Sequence, residues 1–219
     1  MPFYKISIKL QSLIPVYGIL AFFILYIVAT FYYSGGSQQD MHSIGFSWLH
    51  NYWCNLLNDK AINGEVNNAQ PIAFVAMIIL LLTIVLFWLF IPPYFFPNYR
   101  VRLSVQFLGI TGISLGFFVF THFHDFIINV ATSFSIIAFI FLMNKLYKIR
   151  EKRLFYFGLL NFVLIIINNY CYYVPGKILY LPVIQKFTFL SFLTWMATIS
   201  ISVNKKQHVK RTRSIKTIS

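Results

Sequence analysis

The residues best suited to chemistry form the run His122-Phe123-His124-Asp125, in a short polar connection between two apolar stretches. On a helical turn His122 and Asp125 are three residues apart and can face one another, whereas His124 points elsewhere. A carboxylate beside an imidazole fixes its tautomer and raises its basicity, which serves proton transfer or metal binding. Two interpretations stay open: a catalytic pair, or a polar turn in which Asp125 caps the next helix.

A metal site would need further ligands, and an earlier polar segment supplies them. Asp40 and His42 follow a flexible Ser-Gly-Gly-Ser sequence at 34–37. If this segment closed over the His-Phe-His-Asp turn, His42, His122 and His124 would offer imidazole nitrogens suited to zinc, with carboxylate oxygens beside them. The sequence has no HExxH or paired-cysteine motif to support that hypothesis.

Residues 44–57, which follow directly, have the spacing of an amphipathic helix. Apolar side chains recur there every three or four residues. Trp53 belongs to this apolar face, whereas Trp48 and Tyr52 are of the type that lies at a membrane interface. This helix could rest on the bilayer and cap the protein, or it could act as the lid just described.

Six long apolar stretches surround these polar segments. Of the 219 residues, 58% are hydrophobic and 11% are charged. Apolar runs of about 20 residues must satisfy their backbone hydrogen bonds internally, so they form spanning helices. The predicted spans are 12–33, 71–91, 103–120, 126–146, 154–174 and 178–203. The fold class is therefore all-α, a polytopic membrane protein with one six-helix domain over 1–203, an outer loop at 34–69 and a basic tail at 204–219.

The distribution of basic residues predicts the orientation. Of the 18 Lys and Arg residues, only Lys60, Lys177 and Lys186 lie outside the N-terminal segment, the second and fourth connections and the tail. Because Lys and Arg accumulate on the cytoplasmic side, both termini are expected in the cytoplasm. The net charge of +13 is explained by this topology, and nucleic-acid binding is not expected. Residue usage typical of an AT-rich bacterial genome suggests the inner membrane.

Several polar residues fall within or beside the predicted spans. Asn161 and Asn168 are seven apart and share a helix face, as suits hydrogen bonds between helices or a polar cavity. Lys186 could extend outward past Pro182, or could be a counter-ion for Asp125.

The two cysteines, Cys54 and Cys171, are both predicted on the outer side. They could form a disulfide there, since a bacterial envelope is oxidising. Alternatively, Cys171 is a small buried hydrophobic residue. The residue pattern leaves both interpretations open.

One stretch carries a family resemblance. It contains Tyr-Ser-Gly-Gly-Ser at 33–37, Gly-Phe-Ser-Trp at 45–48, Asn-Tyr-Trp-Cys-Asn-Leu at 51–56 and Asn-Gly-Glu-Val-Asn at 63–67. These motifs resemble the first outer loop of bacterial six-helix membrane proteins that are distantly similar to the Frag/DRAM/Sfk group. Many of those proteins carry Ser-Asp where this chain has Cys54-Asn55. The resemblance implies a shared fold and a connection with lipids.

Three functions follow as expectations. The first is binding or sensing of a lipid or small amphiphile at the outer leaflet, without catalysis. The predicted ligand contacts for it are Asp40, His42, Trp48, Trp53, Asn161, Asn168 and Lys186. The second is a zinc-dependent hydrolase of a lipid ester or amide, with His122 and Asp125 as catalytic residues. The third is a transporter, although no internal repeat or row of intramembrane polar residues is visible.

Overall fold

The computed structural model describes residues 11–115 and 124–216, apart from the side chains of 124–126, 128, 129 and 209–216. Within this part of the chain the regular structure is helical. The α-helices are α1 Ile14–Phe31, α2 Gln70–Phe90, α3 Pro92–Phe95, α4 Tyr99–Ser114, α5 His124–Lys148, α6 Lys152–Tyr173 and α7 Leu181–Lys216. Two short 3₁₀ helices lie at Trp53–Leu57 and Ile178–Tyr180.

Five segments of the described chain are long and apolar enough to cross a membrane, which indicates a multi-pass membrane protein. They are Ile14–Phe31, Gln70–Phe95, Val130–Lys148, Lys152–Tyr173 and Ile178–His208. This confirms the all-α membrane class. The remaining predicted span, 103–120, begins in α4, and its last five residues lie outside the described residues.

One sequence-based expectation about secondary structure is wrong. In place of an amphipathic helix over 44–57, the chain forms turns followed by the five-residue 3₁₀ helix Trp53–Leu57. The segment predicted as a basic tail from residue 204 continues α7 as far as Lys216.

Proline and asparagine define several helix ends. Pro92 and Pro93 occupy the first positions of α3, where the missing backbone N–H has no helical acceptor in any case. The Asn98 side chain caps α4 by accepting hydrogen bonds from the backbone N–H groups of Arg100 and Val101. Arg150 adopts a left-handed conformation, with φ of 59°, in the tight connection between α5 and α6.

The chain divides into two compact units. The loop unit comprises Leu20–Ile79 and Tyr156–Thr194, and the terminal unit comprises Met1–Ile19, Leu80–Phe155 and Trp195–Ser219. Long helices contribute to both units, so each unit is described by itself.

The terminal unit is packed around glycine and tryptophan. Gly109 lies against the Trp88 indole and Gly112 against Ser135, so closely that an added Cβ would overlap those side chains. Glycines at these two positions let neighbouring helices approach closely. Trp195 is fully buried and donates its indole N–H to the Leu154 carbonyl at 2.8 Å.

The loop unit is built around Trp53. Its ring lies 5.1 Å from that of Tyr26 in α1 and 5.7 Å from that of Phe189 in α7, centroid to centroid. The Tyr26 hydroxyl donates to the Trp53 carbonyl at 3.1 Å. The first loop, residues 32–69, is thereby held against both helices.

Candidate functional site

The loop unit contains a cavity of about 340 Å³, within the range of about 300–1,000 Å³ that small-molecule sites occupy. Its surface is almost entirely carbon. Three segments of the loop unit supply the walls: α1, the first loop and the beginning of α7. The lining residues are Phe23, Ile27, Trp48, Leu49, Trp53, Val183, Lys186, Phe187 and Leu190.

The cavity is open on one side. Leu49 and Phe187 expose 61% and 60% of their surfaces, and Leu190 exposes 49%. Exposed side chains of this size around an apolar cavity leave an entrance for an apolar molecule. Phe187 and Leu190 belong to α7, in a segment that is apolar enough to span a membrane, so that entrance suits a molecule arriving from lipid.

Hydrogen bonds fix the loop wall of the cavity. The Trp53 backbone N–H donates to the Gln185 side-chain oxygen at 3.2 Å, and the Trp53 carbonyl accepts from Tyr26. Trp53 is therefore tied to α7 on one side and to α1 on the other. Since its side chain also lines the cavity, these bonds set the shape of that wall.

Lys186 connects α7 to the same loop. Its ammonium donates to the Asn51 carbonyl at 2.6 Å and to the Pro182 carbonyl at 2.9 Å. The Phe46 ring centroid lies 5.6 Å from the nitrogen, within cation–π range. The prediction that Lys186 extends outward past Pro182 agrees with these contacts.

Buried asparagines hold the loop in its irregular conformation. Asn51 is wholly buried, donates its amide to the Gly36 carbonyl at 2.9 Å and accepts from the Ser47 N–H at 2.7 Å. The Asn67 amide donates to the carbonyls of Asn55 and Asn58 at 3.1 and 2.8 Å. Such side-chain bonds to backbone compete with helical bonds, which explains why the expected helix does not form.

Three of the residues predicted as ligand contacts meet at the cavity. Trp48, Trp53 and Lys186 all line it. Asp40 and His42 do not; both are exposed, and the Asp40 carboxylate accepts from the His42 backbone N–H at 2.9 Å. The role of each as a ligand contact stays a prediction.

Asn161 and Asn168 join α6 to α7. The Ser191 hydroxyl donates to the Asn161 side-chain oxygen at 2.6 Å, and the Asn168 amide donates to the Thr188 hydroxyl at 2.7 Å. This is the inter-helix bonding expected from their seven-residue spacing. The Asn161 amide nitrogen is buried without an acceptor among the described residues.

The His-Phe-His-Asp run lies largely outside the described part of the chain. His122 and Phe123 are outside it, as are the side chains of His124 and Asp125. Among the residues that are described, no three His, Cys, Asp or Glu side chains group closely enough to hold a metal ion. The zinc site and its catalytic pair therefore stay predictions, as does the pairing of Lys186 with Asp125.

Both cysteines have free thiols. Cys54, in the 3₁₀ helix, is exposed, whereas Cys171, near the end of α6, is buried. The interpretation of Cys171 as a small buried hydrophobic residue agrees with its position.

Sequence reasoning missed the apolar lining and the residues that hold the loop. Phe23, Ile27, Phe187 and Leu190 resemble any other apolar residue of a spanning helix, so no sequence signal distinguishes them. Gln185 did carry a signal, because it adjoins Lys186 and the two form a polar pair in an apolar span.

No protein-family profile, curated protein or solved structure matches this chain. The likeness of the first loop to the Frag/DRAM/Sfk group thus stays a prediction from its motifs.

Proposed function

We propose that this chain is a six-span membrane protein that binds the acyl chain of a lipid or small amphiphile in the cavity of the loop unit. The observation that carries the proposal is the cavity itself, with its carbon surface, its open side and its aromatic walls. A ligand with a hydrocarbon tail matches such a surface, because the tail has no polar group that would be buried there without a hydrogen-bond partner.

The charge distribution supports an orientation in which this cavity lies at the outer leaflet. The loop unit contains Lys60, Lys177 and Lys186, and every other Lys and Arg of the chain belongs to the terminal unit. With basic residues on the cytoplasmic side, both termini lie in the cytoplasm and the first loop lies outside. A bacterial inner membrane would suit this arrangement.

The described residues favour neither alternative function. A zinc hydrolase needs several ligands at one point, and His42 is the only one of its predicted zinc ligands whose side chain is described; it lies exposed on the loop. A transporter needs a polar path, yet Asn161 and Asn168 bond to side chains of the adjacent helix. Lipid binding is therefore the function that the geometry supports best.

Native mass spectrometry of the detergent-purified protein tests the proposal. Leu190→Trp fills the cavity. Leu160→Trp is the matched control, because Leu160 is also a leucine and is 51% exposed, against 49% for Leu190, but does not line the cavity. We expect wild type and Leu160→Trp to retain one bound lipid and Leu190→Trp to lose it. Equal retention by the two variants, or no retained lipid in wild type, would contradict the proposal.

A further inference from the structure

The positive charge of Lys186 is a feature by which the cavity could distinguish one class of lipid from another. Its aliphatic stem lines the cavity, and its ammonium is bound by two backbone carbonyls. Carbonyl oxygens solvate an ammonium but do not neutralise it. These contacts satisfy the hydrogen bonds of the ammonium, while its positive charge can still attract an anionic headgroup.

The acids whose side chains are described do not supply an opposite charge for Lys186. The Asp40 carboxylate bonds to the His42 backbone, the Asp59 carboxylate accepts from the Gln70 amide, and Glu151 pairs with Lys206. Glu65 is exposed, and none of these four carboxylates forms an ion pair with Lys186. Within the described side chains, the positive charge of Lys186 is thus uncompensated.

A second residue of the cavity, Trp53, carries a buried donor. The indole N–H of Trp53 is buried and has no hydrogen-bond acceptor in the described part of the chain. Trp53 is only 7% exposed, and it lines the cavity together with Lys186. Because this nitrogen is itself buried, recognition of a headgroup falls to Lys186.

The hydrocarbon tail cannot by itself explain selection among lipids. A tail that leaves the bilayer for the cavity exchanges one apolar environment for another, so its transfer contributes little to the free energy of binding. Discrimination must come from the headgroup and from groups that can recognise it. Among the residues that line this cavity, the charged one is Lys186.

We propose that the cavity selects an anionic phospholipid, whose phosphate pairs with Lys186 while its acyl chain occupies the carbon-lined space. The inference rests on the proposed function, since it specifies the lipid class that the same cavity binds. The partner is a lipid of the surrounding bilayer, and not a free phosphate ion, because the carbon lining requires a tail.

A titration followed by native mass spectrometry tests this selection. The purified protein is titrated with phosphatidylglycerol and with phosphatidylcholine of identical acyl chains, and inorganic phosphate is added as a competitor. We expect wild type to bind phosphatidylglycerol about tenfold more tightly, the ratio that a difference of about 1.4 kcal/mol produces. Inorganic phosphate should not displace the lipid, and displacement at millimolar phosphate would contradict the requirement for a tail.

Three variants separate the charge of Lys186 from its structural contacts. Lys186→Met should bind the two lipids equally, whereas Lys186→Arg, which keeps the charge, should retain the preference. Lys177→Met removes an exposed lysine of the same unit that does not line the cavity, so it should also retain the preference. If Lys186→Met fails to fold, the other two variants still test the proposal. Loss of the preference for phosphatidylglycerol in Lys186→Arg would contradict it, and so would loss of that preference in Lys177→Met.

The outcomes distinguish this inference from the function on which it rests. If wild type binds both lipids equally and saturably, the proposed selection by charge is wrong, whereas the proposal that the cavity binds a lipid still holds. Binding of neither lipid would overturn the proposed function itself. A preference for phosphatidylglycerol that persists in Lys186→Met would assign the selection to another part of the protein.

Discussion

At the scale of single residues, the Cys54 thiol reports on the first loop. Burial among neighbouring atoms raises the pKa of this thiol, although part of the side chain is exposed. Hydrogen bonds from the backbone N–H groups of Cys54 and Asn55, and the positive charge of Lys186, lower the pKa by smaller amounts. Because the thiolate is the nucleophile, Cys54 should react slowly at neutral pH.

Labelling with a membrane-impermeant maleimide measures both the position and the pKa of this thiol. In intact cells carrying Cys171→Ala, we expect Cys54 to be labelled from outside. The rate should rise about tenfold per pH unit and continue to rise above pH 9, the ordinary thiol pKa. Cys54→Ser is the control for unspecific labelling.

Two results of that labelling would contradict the account. A rate that levels off below pH 8 would mean that the pKa is lowered. Labelling seen only after the membrane is permeabilised would place the first loop on the cytoplasmic side.

Individual asparagines also explain why part of the first loop could not be predicted. The spacing of its apolar side chains identified only part of the buried face, since Trp53 and Leu56 are buried but Leu49 is 61% exposed. It did not reveal that Asn51 and Asn67 would bind backbone groups several residues away. A periodic pattern records which side chains are buried, whereas these bonds determine the path of the backbone.

At the scale of elements, close packing at glycine organises the terminal unit. Gly109 in α4 is buried and leaves room for the Trp88 indole of α2. In the absence of a hydrophobic force between helices in lipid, such contacts supply much of the attraction between them. A larger residue at this position must displace the indole.

We predict that Gly109→Val lowers the free energy of unfolding by about 1–3 kcal/mol, the usual cost of overpacking. Leu103→Val is the matched control, because Leu103 is an exposed residue of the same helix. Unfolding in a titration with a denaturing detergent measures both variants. Equal stability of the two would mean that the contact between Gly109 and Trp88 contributes nothing.

The helices were predictable because their signals are local. Length and hydropathy were sufficient to identify α1, α2, α5 and α6 within a few residues of their bounds. The seven-residue spacing of Asn161 and Asn168 predicted that they share a face, and of its two interpretations, bonds between helices or a polar cavity, the first is observed. The end of α7 was not predictable in this way, since polarity marks where an apolar span ends but not where its helix ends.

At the scale of the whole molecule, the two compact units differ in charge. The loop unit has three basic residues and contains the cavity, and the terminal unit contains the remaining Lys and Arg. On this difference in charge rests our proposal that the first loop lies outside and that the ligand comes from the outer leaflet.

The cavity itself could be predicted only in part. Trp48, Trp53 and Lys186 were identifiable because each is unusual in its sequence context. Their meeting at one point depends on contacts between residues more than 100 positions apart, such as that of Lys186 with Asn51. Single-sequence periodicity contains no information about such distant pairs.

The central claim is that an acyl chain occupies this cavity, and photo-crosslinking tests it most directly. Membranes containing a phospholipid with a diazirine in its acyl chain are irradiated, and the modified residues are mapped by mass spectrometry. We predict that crosslinks concentrate on Trp48, Phe187 and Leu190 and disappear in Leu190→Trp. Crosslinks spread evenly over the exposed faces of α6 and α7, and unchanged in that variant, would contradict the account.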